Sequence, residues 1–171
     1  ALRVQGSTTV DVDDNEFWSN VSADDSGALM ANGCTTVGVS GNLFSLNDAA
    51  EYGGAAVFLN LTTLTLQGNT YNSNQANYAG AVWITNVADT LEEHGSYCAN
   101  EATLGDGGAL MITEASSSSV WTNNVFNENT SNRFGGGVYV SNHDISFYNN
   151  HFLANDAATA GGALYLTNAD F

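Results

Sequence analysis

The chain has 171 residues, of which 18 are acidic and two, Arg3 and Arg133, are basic. A formal charge of −16 weighs strongly against nucleic acid or an anionic membrane surface as partner, since both are held by Lys and Arg. The 43% apolar content argues against disorder, and no stretch approaches the roughly 18 consecutive apolar residues of a membrane span.

The first residues, Ala1 to Ser7, carry no repeat signature and read as an edge. From Thr8 onward two phrases alternate. One is a pair of alternating apolar residues followed by Asn-x-aromatic-x-x-Asn, as in Val10-Asp11-Val12 with Asn15 through Asn20. It returns at Asn42 to Asn47, Asn69 to Asn74, Asn124 to Asn129 and Asn150 to Asn155. The other is Gly-Gly-Ala, three or four large apolar residues, then Thr or Asn. Its small residue falls at 28, 56, 81, 109, 137 and 163, a spacing that marks repeat architecture. The fourth coil is irregular, with spacing favouring Cys98 in the aromatic slot and the downstream Asn100 favouring Tyr97. The fifth is irregular too, because Ser116 to Ser119 replaces the usual lead-in and Val120-Trp121 is off phase. Both are expected to hold a bulge or an altered turn.

Each repeat of about 27 residues holds two or three runs of period-2 alternation punctuated by Gly, Asn, Asp and Ser. Apolar residues do not recur at helical spacing, and the absence of proline suits a ladder that needs every backbone N–H. A propeller blade needs about 40 residues, so the pattern predicts an all-β, parallel β-helix of about six coils. The coils start near residues 8, 35, 62, 89, 117 and 143, in a single segment over 1–171. Equivalent slots then stack about 4.8 Å apart. Phe17, Phe44, Tyr71, Phe126 and Phe152 form an inward ring stack, and the asparagines form amide ladders. Cys34 and Cys98 occupy different phases, so a bridge between them is not expected.

Paired Gly-Gly-Ala-apolar and Phe-x-x-Asn phrases resemble the repeats of the chlamydial polymorphic outer-membrane proteins, which also occur in large bacterial, algal and protist surface proteins. The phrases that carry the resemblance include Gly53-Gly54-Ala55, Gly107-Gly108-Ala109 and Gly161-Gly162-Ala163, with Phe17 to Asn20, Phe44 to Asn47, Phe126 to Asn129 and Phe152 to Asn155. The resemblance covers about Val10 to Thr167. It implies a right-handed β-helix, extracellular and used in adhesion or surface architecture, and it supplies no catalytic residues.

Within the Gly-Gly-Ala strand, Leu29, Val57, Val82, Leu110, Val138 and Leu164 alternate with Ala31, Leu59, Ile84, Ile112, Val140 and Leu166 as the inward face. The residue between them points outward: Met30, Phe58, Trp83, Met111, Tyr139 and Tyr165. Three explanations compete for such an exposed apolar row: a covering segment, lateral contact with another chain, and a carbohydrate platform. The coil ends carry no polar cap, so the chain reads as a piece of a longer solenoid or as a unit that stacks head to tail. It opens without Met and without a basic-then-apolar leader, as a mature or excised segment does.

Acidic residues lie mostly in turns and do not share one column, and only two arginines are available as bases, so catalysis is not expected. No cofactor is expected, unless Asp11, Asp13, Asp14 and Glu16 bind calcium through oxygen ligands; a solvated acidic edge is the simpler reading. Of three sequons, Asn60 ends an outward strand and is the preferred glycan acceptor, while Asn20 and Asn129 occupy ladder slots. Thr8-Thr9, Thr35-Thr36 and Thr62-Thr63 stack as a Thr ladder that raises ice binding, but Ala88-Asp89 breaks it. The leading expectation is a non-enzymatic extracellular β-helix that self-assembles into a surface filament, hair or adhesin. The alternative is a polysaccharide-binding or polysaccharide-degrading β-helix domain.

Overall fold

A computed structural model describes residues 2–114 and 119–170. The repeat folds as predicted into an all-β parallel solenoid of about six turns, with one eleven-stranded sheet that bends around a corner and two six-stranded sheets. Among the described residues there is no helix, so none is long and apolar enough to cross a membrane.

The corners explain the asparagines. At each of two corners the chain passes through one residue of positive φ and then an Asn, as at Asp14-Asn15 and Leu46-Asn47. A left-handed residue other than Gly costs about 1 kcal/mol. The following Asn stabilises the corner by bonding up and down the stack. Asn47 Nδ2 donates to Phe17 O at 2.9 Å and to Asn74 Oδ1 at 3.0 Å, and the Asn47 backbone amide donates to that same oxygen at 3.0 Å. One ladder runs unbroken through Asn20, Asn47, Asn74, Asn100, Asn129 and Asn155.

The glycines are explained by close approach. A Cβ at Gly27, Gly54, Gly80, Gly108 or Gly136 would collide with the carbonyl oxygen of the glycine one coil on. This column fixes the register. Gly27 lies under Gly54, which places Ala28 beside Ala55 rather than Ala56.

The inner face of the Gly-Gly-Ala strand therefore differs from expectation in the second coil. Ala56 pairs with Leu29 and Val82, and Phe58 pairs with Ala31 and Ile84. Phe58 points inward and is fully buried, while Val57 and Leu59 take the outward positions. The volumes balance, since Phe58 lies beside Ala31 and two residues from Ala56, both small. Within the stretch read as an edge, Leu2–Gln5 forms the terminal strand of the sheet and pairs with Leu29–Asn32.

Tyr97, not Cys98, fills the fourth aromatic slot. The rings of Phe17, Phe44, Tyr71, Tyr97, Phe126 and Phe152 stack at 4.6–5.1 Å. Cys34 is buried, Cys98 is half-buried, and both are free thiols. The fourth and fifth coils differ in length: their ladder steps are 26 and 29 residues, against 27 in the first two. Val120-Trp121, expected off phase, is in register: Trp121 enters the core in the same inward row as Leu66 and Glu92, and Val120 pairs with Leu91. The expected irregularity at Ser116 to Ser118 lies outside the described residues. A register shift occurs instead in the third coil, between Ala76 and Tyr78.

Candidate contact face

On the Gly-Gly-Ala strands the alternation that buries two apolar rows turns two others outward. One outward row is Arg3, Met30, Val57, Trp83, Met111, Tyr139 and Tyr165. Five of the six residues expected there are present, and Val57 replaces Phe58 because of the register set by Gly54. The second row is Gln5, Asn32, Leu59, Thr85, Thr113, Ser141 and Thr167. Neither row contains an acidic residue. Elsewhere the outward positions carry acids: Asp11, Asp13, Asp89 and Glu93 where the same sheet continues past its corner, Asp48, Glu101 and Asp156 on one six-stranded sheet, and Glu16 on the other.

The row is not a bare stripe. Met30, Trp83, Met111, Tyr139 and Tyr165 are half-buried, and Val57 is fully buried. Rings from the adjoining corner supply the cover. Tyr52 stacks on Trp83 with centroids 4.2 Å apart and on Tyr78 at 5.1 Å. Phe134 stacks on Tyr165 at 4.5 Å, and Tyr165 stacks on Tyr139 at 5.7 Å with planes 3° apart. Trp83 Nε1–H donates to Thr113 Oγ1 at 3.3 Å. These corner rings, Tyr52, Tyr78 and Phe134, share one slot of the repeat, two residues before Gly54, Gly80 and Gly136, a recurrence the sequence carries.

Both arginines of the chain border this face. Arg133 lies over the Phe134 ring at 5.2 Å and reaches Asp106 at 3.5 Å. Asp106 also accepts the Phe134 amide at 3.1 Å. Burial raises the Asp106 carboxyl above the usual carboxylate range, while Arg133 and that amide pull it down. Arg3 borders a cleft of about 190 Å³ lined by Leu2, Ser22, Asp24, Asp25, Ser26 and Met30. Beside it Asp24, Asp25 and Glu51 place carboxylate oxygens within 4.8 Å of one another. Asp25 titrates above the ordinary range, first through burial and then through Asp24 and Glu51.

That trio is where acidic groups converge among the described residues. Asp11, Asp13, Asp14 and Glu16, the calcium candidates from the sequence, are all exposed and do not gather at one point. Asp13 instead accepts the Ser40 hydroxyl at 2.6 Å. Counted at one oxygen each, the carboxylates of Asp24, Asp25 and Glu51 supply half or less of the six to eight ligands that calcium takes. Asn60 is exposed at a positive-φ corner, and its amide joins a short outer ladder with Asn32 and Asn86. Asn129 is fully buried, with Nδ2 donating to Tyr97 O and Asn155 Oδ1, and Asn20 is half-buried and bonded to Asn47. Thr9, Thr36 and Thr63 do stack in register, and Asp89 follows them.

No family model, no curated protein and no solved structure matches this chain.

Proposed function

We propose that this chain is a non-enzymatic structural or adhesive solenoid segment of an extracellular surface filament, hair or adhesin. Its contact face is the pair of outward rows on the Gly-Gly-Ala strands, and its partner is a second β-helix chain of the same kind. The supporting observation is the distribution of charge. A chain of −16 repels its own copies, and this is the face whose two strand rows lack carboxylates while presenting a half-buried aromatic ridge. Repulsion between such chains is screened over about 8 Å at physiological ionic strength, so uncharged faces meet while acidic faces stay apart. The face spans seven strands, about 29 Å along the axis, by about 13 Å across one strand. A patch of that size is below the roughly 800 Å² per partner of a standard interface. Contact through it is therefore weak singly and gains strength by repetition along a filament.

A carbohydrate platform needs ring faces open to sugar. Tyr52 stacks on both Tyr78 and Trp83, and Tyr165 on both Phe134 and Tyr139, so ring faces that a sugar would need are already taken. The ring arrangement thus favours the protein contact over polysaccharide binding.

Electron microscopy and sedimentation of the wild type and of Tyr139→Ser/Tyr165→Ser test the reading. Wild-type chains should associate side by side, more so as salt rises, and the double variant should remain dispersed. Equal association of the two proteins, or dispersed wild type at high concentration and high salt, overturns it. A glycan array with wild type and Trp83→Ala should show no binding that depends on Trp83; binding lost on that substitution would establish the polysaccharide alternative.

A further inference from the structure

Among the described residues, one carboxylic acid lies in an inward strand row of the solenoid. Glu92 lies in an inward row with Val12, Val39, Leu66 and Trp121, and it is 0% exposed. Neither carboxyl oxygen has a hydrogen-bond partner of ordinary geometry. Three further departures from the repeat meet it. The ring stack uses Phe in four coils and Tyr in two, and those two, Tyr71 and Tyr97, are consecutive and bring buried hydroxyls toward Glu92. The corner that carries Asn42 and Asn69 in earlier coils carries Gly95 in this one, and a Cβ there would run into Glu92 Oε1. Trp121, directly paired with Glu92, has its Nε1–H buried without a partner.

We propose that Glu92 is a buried proton-dependent latch: as a neutral carboxylic acid it completes the core between Tyr71, Tyr97 and Trp121, and loss of its proton loosens the third to fifth coils. An ionised carboxylate in a closed apolar interior needs a paired charge or several donors. The groups facing Glu92 do not include a cation. Leu66 and Trp121 flank it along its own row, and Tyr71 and Tyr97 face it from the ring stack. Asn124 reaches only its backbone, with Nδ2 at 3.5 Å from Glu92 O. His143, also buried, lies 2.5 Å from Ser119 Oγ through Nε2, and the two arginines belong to the outer face. Burial raises the Glu92 carboxyl well above the usual range, partly offset by the Tyr97 hydroxyl. The folded state then holds a proton that the unfolded state releases near the ordinary glutamate value. Glu92 therefore contributes full stability below about pH 4.5, and that contribution is lost as pH rises toward its raised folded value.

Thermal unfolding of the full chain at about pH 5 and about pH 8.5, for wild type and Glu92→Gln, tests the latch. Glutamine keeps the shape and cannot ionise. The wild-type midpoint should drop between the two pH values by more than that of Glu92→Gln, because the remaining acidic groups affect both proteins alike. Parallel shifts overturn the proposal. Should Glu92→Gln fail to fold, infrared spectra of wild type with carboxyl-labelled glutamate decide. A protonated carboxylic acid band at neutral pH supports the latch, and its absence overturns it.

Discussion

The second and third coils repeat each other almost slot for slot, whereas the fourth and fifth break the pattern at several slots. In the regular pair Asn42 and Asn69 bond through backbone and side chain, Phe44 and Tyr71 stack, and Leu64 and Leu66 fill the core. In the irregular pair Gly95 interrupts that Asn ladder, and Thr90, Glu92 and Ser119 replace apolar residues in the interior. The second ladder, from Asn20 to Asn155, crosses both regions intact. A solenoid coil contacts only its neighbours, so one corner can give up its ladder while the other keeps the stack in register. The exchange at Gly95 makes room for Glu92, which links the lost amide to the buried acid.

The largest expected effect tests what both regions share. Gly54→Ala and Gly80→Ala each place a methyl against backbone of the next coil, where nothing can rotate away. Either should lower unfolding stability by about 3 kcal/mol or more, read as a drop in the urea midpoint. Next comes the contrast between ladder asparagines. Asn74→Ala removes the partners of the Asn47 amide, the Asn47 side chain, Phe44 O and Asn100 Oδ1, all in buried surroundings. A loss of about 3 kcal/mol is expected. Asn124→Ala removes one short bond, from the Gly95 amide at 2.6 Å, and one long contact to Glu92 O, so about 1.5 kcal/mol is expected from the same urea series. Equal losses would show that the irregular coils are as tightly laddered as the regular ones.

A sign reversal sharpens the comparison further. Gly95→Asn alone should destabilise by about 2 kcal/mol, because the new side chain meets the Glu92 carboxyl. In a Glu92→Leu background the same change should stabilise by about 1 kcal/mol, since it restores the amide ladder beside a leucine like Leu66. A double-mutant cycle from chemical denaturation reads the coupling, and additive effects would disconnect Gly95 from Glu92. The smallest effect belongs to the outer face. Tyr52→Ala removes the stack on Trp83 and should cost about 1 kcal/mol in the thermal midpoint, leaving the coils intact.

Much of the fold was legible because the repeat writes each structural demand several times over. Asn20, Asn47 and Asn74 show an amide ladder by recurrence, but the fourth aromatic slot stayed open between Tyr97 and Cys98 until strand pairing selected Tyr97. The second Gly-Gly-Ala strand was misread because Ala55 and Ala56 are interchangeable in a sequence pattern. Only the collision of Gly27 with the Gly54 carbonyl selects between them, and that one-residue choice sends Phe58 inward and Val57 outward. The candidate face was legible as a row, and its acid-free character could have been read from Thr85, Thr113, Ser141 and Thr167. Its flanking rings recur too, just before the glycine pair, but only the folded corner lays Tyr52 and Phe134 against the row.

The sequence by itself determined the architecture: a period near 27 residues, alternation of two, glycines where backbones approach and asparagines after each sharp corner leave a parallel coil as the arrangement that satisfies them all. Tertiary structure decided which polar residues enter the core. Glu92 sits in a run, Leu91-Glu92-Glu93, whose two phases look alike until strand pairing turns Leu91 outward and Glu92 inward. The phase is set by the neighbours on both sides, Leu66 and Trp121, through backbone bonds between coils, and no local preference of the three residues carries that information.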